Sequence, residues 1–176
     1  MEAVQVILVD EKDKPVGLAE KMEAHQLGLL HRAFSIFIFS SNGDMLLQRR
    51  ALSKYHSGGL WTNACCSHPF PEEETDDAAL RRLKEEMGFE TKLEKVFEFY
   101  YKADFENGLI EHEYDHVLAG EYEGAIRINE EEVMDYCYKN IEAIRIDLQS
   151  HPEKYTAWFQ IAFPKIEKWW IQHYSN

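Results

Sequence analysis

The chain is short of several things. Its 176 residues include three cysteines, five prolines and nine glycines. Two of the cysteines, Cys65 and Cys66, are adjacent. Neighbours along an extended strand point to opposite sides, so a bridge between them would be strained. An odd cysteine count with one vicinal pair excludes a disulfide framework, and a reduced, cytoplasmic setting is expected. Repeats, low-complexity tracts and linkers are missing, which excludes fibrous and disordered architectures. Basic residues are outnumbered, with 19 Lys and Arg against 32 Asp and Glu and a formal net charge of −13. That balance argues against nucleic acid and membrane surfaces as partners. A small anionic ligand is still possible, because it needs only a local cluster of cations. No apolar run is long enough to span a bilayer. The first residues, MEAVQVILVDEKDK, lack the basic start of a signal peptide.

What is present suits one ordinary domain over residues 1–176, with 45% hydrophobic and 13% aromatic content. The pattern predicts a strand over 4–10, a turn over KDKPVG (12–17) and a long apolar strand over 31–41. SNGD (41–44) reads as a hairpin into a strand over 45–51, and the loop LSKYHSGGL leads to WTNACCSH. TDDAALRRLKEEMGF (75–89) is the strongest helix, with Thr75 as cap, Asp76 and Asp77 at its positive end, and Gly88 as its stop. Ala79, Leu80, Leu83 and Met87 form its apolar stripe. Strands follow over 93–105 and 109–122, joined at ENG, and over 133–140. A helix is expected from 141 after Asn140, and another over 156–174 with a kink at Pro164. Together these predict an α/β (α+β) sandwich, a mixed β-sheet flanked by helices.

Chemistry concentrates in a few places. In LIEHEYDHV, strand alternation puts Glu111, Glu113 and Asp115 on one face and His112, Tyr114 and His116 on the other. Three carboxylates in a row repel one another unless their face is solvated or holds a cation. For the second case, His25, His31 and His68 with Glu111 and Glu113 would give mixed nitrogen and oxygen ligation. That set suits Zn²⁺ or Mn²⁺ better than Mg²⁺. Lys21, Arg49, Arg50, Lys54, Arg81 and Arg82 are a third group. They are either a solubilising surface or, with a metal, a clamp for a diphosphate. The helix RRLKEEMGF looks like the Nudix box, with Arg81, Leu83, Glu85, Glu86, Gly88 and Phe89 in place and Arg82 where the first glutamate would stand. Arg82 and Glu86 are spaced to pair.

The ordered segments LAEKMEAH (18–25), LLHRAFSIFIF (29–39), LLQRRALSK (46–54), LWTNACCSHP (60–69), RRLKEEMG (81–88), FYYKA (99–103), IEHEYDHV (110–117), EEVMDY (131–136) and TAWF (156–159) cover nearly the whole chain. Together they resemble the type I isopentenyl-diphosphate isomerases, a Nudix-related family. The resemblance implies a Nudix-like fold, and an enzyme that interconverts isopentenyl and dimethylallyl diphosphate by moving a double bond. It implies Cys66, Glu113 and Tyr101 as the catalytic group. In this reading metal-bound Glu113 gives a proton, Tyr101 supports it, and Cys66 takes one as a thiolate whose pKa is lowered by nearby positive charge. It implies His25, His31, His68, Glu111 and Glu113 as ligands of one Zn²⁺ or Mn²⁺. Glu86 would hold a Mg²⁺ that arrives with the diphosphate, and no organic cofactor is expected. Lys21, Arg50, Lys54 and Arg82 match diphosphate-binding positions, and Trp158 matches the aromatic residue over the substrate. Cys65 would be an inert core residue. Ser67 and Ala157 depart from the glycine and proline usual in that family. A monomer or weak dimer without macromolecular partners is expected. The competing readings are a Nudix-type diphosphate hydrolase and a metal-binding structural or redox module built on CCSH.

Overall fold

A computed structural model describes residues 3–105 and 107–175. Among these residues nine strands join into one curled, mixed sheet with helices packed on both faces. β1 (Gln5–Val9) and β2 (Pro15–Glu20) form an antiparallel hairpin at one edge. β3 (His31–Phe39) is the central strand. One of its sides runs parallel to β8 (Ile110–Glu121) along its full length. Its other side meets β1 at His31, β6 (Cys65–Ser67) in the middle and β4 (Met45–Arg50) at Phe39. β4 carries β5 (Trp61–Thr62) and β9 (Val133–Lys139), and β7 (Glu94–Asp104) pairs with β8.

β3 is central because HRAFSIFIF has apolar side chains for both of its faces. Phe34, Ile36 and Ile38 bury against Ala78, Ala79, Leu83 and Met87 of α2 (Thr75–Met87). Phe37 and Phe39 bury on the other side, with Ile141 and Ile144 of α3 (Ile141–Ser150) and Phe159, Phe163 and Ile166 of α4 (Ala157–Tyr174). Each large side chain so buried stabilises the fold by roughly 1.5–3 kcal/mol. Asn140 caps α3, as its sequence suggests, by accepting from Glu142 and Ala143 N–H.

Several expectations differ from what is found. KDKPVG is not all turn, because Pro15 already opens β2. The turn is tightened to the residues before it, where the Asp10 carboxylate accepts from the N–H groups of Lys12 and Lys14. A short helix, α1 (Lys21–Leu27), was not expected. Its seven residues are too few to show a period. Its cap is Glu20, whose carboxylate accepts from Met22 and Glu23 N–H. Thr75 does not cap α2; it is the first helical residue, and Glu74 occupies the cap position without a side-chain bond. Leu80 is half-buried, and Ala78 and Glu86 are buried with the stripe instead. α4 runs through Pro164 without interruption. The carbonyl left without its partner is that of Gln160, and both residues are exposed, so water can replace the bond. The helix expected from 141 ends at Ser150, and Pro152–Lys154 form a short 3₁₀ turn. At the ENG turn, Glu106 lies outside the described residues, while Gly108 adopts φ 78°.

Gly88 ends α2 at φ 75°, and a Cβ there would lie 2.3 Å from the Arg127 carbonyl oxygen. Gly88→Ala is expected to cost roughly 1–3 kcal/mol, from left-handed strain plus the clash. Urea unfolding should show a lower midpoint at unchanged slope. An unchanged midpoint would mean that the segment around Arg127 yields freely.

Candidate active site

The site lies where one face of the sheet changes from apolar to polar. On β3 that face carries Phe39, Phe37, Ser35, Ala33 and His31 in turn, and on β8 it carries Ala119, Val117, Asp115, Glu113 and Glu111. The apolar ends sit under α4, and at the polar end of β8 Glu111 and Glu113 line a cavity, with His31 of β3 beside Glu113. Register aligns the chemistry. His31 is opposite Glu113 across the β3–β8 ladder, and Tyr101 is opposite Glu113 across the β7–β8 ladder. Tyr101 therefore reaches both carboxylates, donating to Glu111 Oε2 at 2.6 Å and to Glu113 Oε2 at 3.0 Å. His112 and His116 point away as alternation requires, with His112 Nδ1 3.0 Å from Gly28 O and His116 Nε2 2.8 Å from Asp13 Oδ2.

His25 on α1, His31 on β3 and His68 after β6 converge on Glu113, with their donor atoms within 4.8 Å of one another. His68 Nε2 is 2.9 Å from Glu113 Oε1 and 3.2 Å from His31 Nε2. Glu111, the fifth expected ligand, faces His25 Nε2 at 3.8 Å and groups with His25 and His56 rather than with the other four. His56 is buried and was missed by sequence reading. A lone histidine in a glycine-rich loop carries no period or spacing to mark it. The set fits a cation. His25 Nδ1 is held 2.7 Å from Lys21 O and His31 Nδ1 2.8 Å from Leu29 O, the orientation that turns an Nε2 lone pair towards the cluster. His25 Nε2 is buried there without a hydrogen-bond partner, an arrangement that a positive ion relieves.

Electrostatics divide the site into halves. Burial alone would raise Glu113, but hydrogen bonds with His31 and His68 outweigh it and hold the carboxyl well below its usual range. Burial pushes His68 down to about 4 against the opposing pull of Glu113. Burial and then the two glutamates push the Tyr101 hydroxyl up, so it stays a donor. Across the cavity stand Lys21, Arg50, Lys54 and Arg82. Burial first, then Lys54 and Arg82, lower Lys21. Arg50 Nε and Arg82 Nε are buried donors without partners. Arg82 also pairs with Glu86 at 2.6 Å, and Glu86 lines the same cavity. Arg49 and Arg81 stay outside it: Arg49 Nε donates to Gly59 O, and Arg81 pairs with Glu73 over the Phe70 ring. Trp158 closes the wall, with the Arg50 guanidinium 5.1 Å from its ring centroid.

The adjacent cysteines part company on β6. Cys65 is fully buried in the core against α2, while Cys66 lines the cavity. Cys66 Sγ lies 3.3 Å from Ser35 Oγ and 3.2 Å from Asn63 Oδ1. The expected lowering of this thiol by positive charge is not what surrounds it. Burial and then Asp115 push it up, and the charged groups that act on it are carboxyls rather than cations. Ser35 also donates to Asp115 Oδ2 at 2.6 Å.

A model of the NUDIX domain matches residues 29–159. An Aromatoleum aromaticum protein called isopentenyl-diphosphate Delta-isomerase 2 is 51% identical over 92% of this chain and 86% of its own. A Pectobacterium atrosepticum isopentenyl-diphosphate Delta-isomerase is also 51% identical, over 97% of this chain and 95% of its own. Among solved structures, DR0079 from Deinococcus radiodurans superposes with a TM-score of 0.76 at 15% identity, covering 92% of this chain and 98% of that one, a likeness of fold alone. With a shared domain model, near-complete coverage and half of all residues identical, the chain belongs to the isopentenyl-diphosphate Delta-isomerases, within the NUDIX fold.

Proposed function

We propose that this chain interconverts isopentenyl and dimethylallyl diphosphate in the cavity lined by β6, β8 and α4, with Cys66 and Glu113 as the proton-exchanging pair. The carrying observation is that one cavity holds a sulfur, a tyrosine-bridged pair of carboxylates and a group of four cations. The reaction moves a double bond by adding a proton at the terminal carbon and removing one from the carbon next to the diphosphate arm. It is proton-neutral, so the enzyme needs one group that starts protonated and one that starts bare. Cys66 and Glu113 meet that need together, with one proton between them at rest, and their roles exchange in the reverse direction. Tyr101 holds the Glu113 carboxylate in place by its hydrogen bond.

Lys21, Arg50, Lys54 and Arg82 bind the diphosphate, and the unpartnered Nε atoms of both arginines find acceptors in it. Trp158 presents an aromatic face to the tertiary carbocation, worth about 2 kcal/mol where water is excluded. His25, His31, His68, Glu111 and Glu113 would hold a Zn²⁺ or Mn²⁺ ion, which when bound supplies fixed positive charge beside the carboxylates. Glu86 would hold a Mg²⁺ that enters with the diphosphate. The folded chain works in the cytoplasm as a monomer or weak dimer.

Arg82 weighs against a hydrolase. It stands where the Nudix box has a carboxylate for metal, and it neutralises Glu86 rather than joining it. A redox module is disfavoured by the cysteines. Cys65 is buried in the core, and Cys137 lines a different cavity beside β4 and β9.

Incubation with isopentenyl diphosphate and Mg²⁺ should yield dimethylallyl diphosphate and no free phosphate. Cys66→Ala should lower that rate by about 10²–10⁴-fold, the usual worth of a positioned acid or base, with folding nearly intact. Cys65→Ala should keep the activity and lose on the order of 1 kcal/mol of stability. Release of inorganic phosphate, or a dead Cys65→Ala of normal stability beside an active Cys66→Ala, would sink the assignment.

For the metal, elemental analysis of purified protein should find one transition ion per chain. His25→Ala should lose it, and His112→Ala should keep it, because His112 points out of the site. Full occupancy in His25→Ala would refute this ligand set.

A further inference from the structure

We propose that His56 is a fourth imidazole ligand of the divalent-cation site, bound through Nε2 beside Glu111. The inference rests on the reading above that this cluster holds such an ion. His56 sits in the loop between β4 and β5 and is only 7% exposed. Its ring is fixed by packing, stacked on Phe105 at 4.8 Å and set edge-on to Trp158 at 5.7 Å. Its Nδ1 lies 3.2 Å from Ser57 Oγ. That leaves Nε2, which is buried and has no hydrogen-bond partner, although Glu111 Oε1 is 3.4 Å away.

His25 Nε2 is in the same condition, and it faces the same carboxylate oxygen at 3.8 Å. Two buried nitrogens therefore flank one carboxylate oxygen, and neither forms a hydrogen bond with it. Buried polar atoms are seldom left in this state unless something else binds them. The donor atoms of His25, His56 and Glu111 lie within 4.8 Å of one another. His25 Nε2 also belongs to the cluster with His31, His68 and Glu113, so the two groups share a ligand and adjoin. Drawn together by a shift of His56 and Glu111 towards the other group, they offer four imidazoles and two carboxylates. Six nitrogen and oxygen donors suit a six-coordinate ion better than the tetrahedral geometry of structural zinc. The other role open to His56 is to donate from Nε2 to Glu111 and stay out of the coordination sphere.

Proton NMR of the full chain loaded with Co²⁺ separates these roles. Each imidazole bound through Nε2 carries one exchangeable Nδ1 proton with a large paramagnetic shift. Wild type should show four such signals. His56→Phe keeps the ring between Phe105 and Trp158 but has no nitrogen, and it should show three, with the Co²⁺ affinity weakened by about tenfold or more. Three signals in wild type, with cobalt bound, would overturn the ligand role of His56 and leave the five-ligand site standing. Four signals retained in His56→Phe would overturn it as well. Failure of wild type to bind cobalt, with no shifted signals, would overturn both this inference and the metal reading beneath it. The wild-type count decides the question even if the variant does not fold.

Discussion

The alignment of His31 with Glu113 across the parallel β3–β8 ladder is the constraint on which the rest of the site depends. Side chains alternate along a strand, so a slip of one residue would turn Glu111, Glu113 and Asp115 to the opposite face. Once the register is set, Ser35 and Tyr101 bond across the ladders to Asp115 and Glu113. The register itself is held further along the same two strands, where Phe37, Phe39, Val117 and Ala119 bury under α3 and α4. Hydrophobic burial at one end of the ladder thus sets the distances between titratable groups at the other. β7 extends the row by one strand, placing Tyr101 opposite Glu113.

Each half of the site is repulsive by itself. Burial and then Glu113 raise the cost of ionising Glu111, and His25, His56 and Tyr101 offset it. Burial, and then Lys54 and Arg82, push Lys21 down, although Glu132 and Glu86 partly neutralise those two cations. A cation relieves the first crowding and an anion the second, so the pattern of repulsion matches the pair of ligands proposed here. It also explains how a chain of net charge −13 can take an anionic substrate. The cations that matter are few, and they line one cavity.

Much of this was legible in the sequence, for identifiable reasons. β8 was legible because the alternation of LIEHEYDHV needs no partner to interpret. α2 was legible because thirteen residues display a helical stripe and a glycine stop. β2 was not, because KDKPVG carries every turn signal and Pro15 only happens to sit at an edge where its missing N–H is harmless. α1 was not, because Glu20 is an uncommon cap and one helical face is too short to repeat. The convergence of His25, His31, His68 and Glu113 was suggested by donor type and specified only by the family resemblance, since no spacing links residues so far apart. His56 was invisible. Its approach to Glu111 is set by a loop that turns through Ser57 at φ 54° and Gly59 at φ 79°. The surroundings of Cys66 were equally hidden, because Asp115 is brought beside it only by both strands pairing with β3.

The state of Cys66 follows from a conflict between two demands. In the reaction proposed above a tertiary carbocation must be kept from water, so a sulfur that exchanges a proton with the neighbouring carbon would have to sit in a dry place. Dryness disfavours the thiolate, and Asp115 adds to that. A buried resting thiolate would need a dedicated cation, and a cation there would repel the carbocation the site must accommodate. A neutral thiol avoids both problems, because double-bond migration consumes one proton and returns one. Under the proposed reaction, the protonation state that burial imposes on Cys66 is therefore compatible with turnover so long as its partner begins bare, the direction in which the Glu113 carboxyl is held. Ser35, which touches the sulfur and the buried Asp115 carboxyl together, keeps both groups hydrogen-bonded without adding charge.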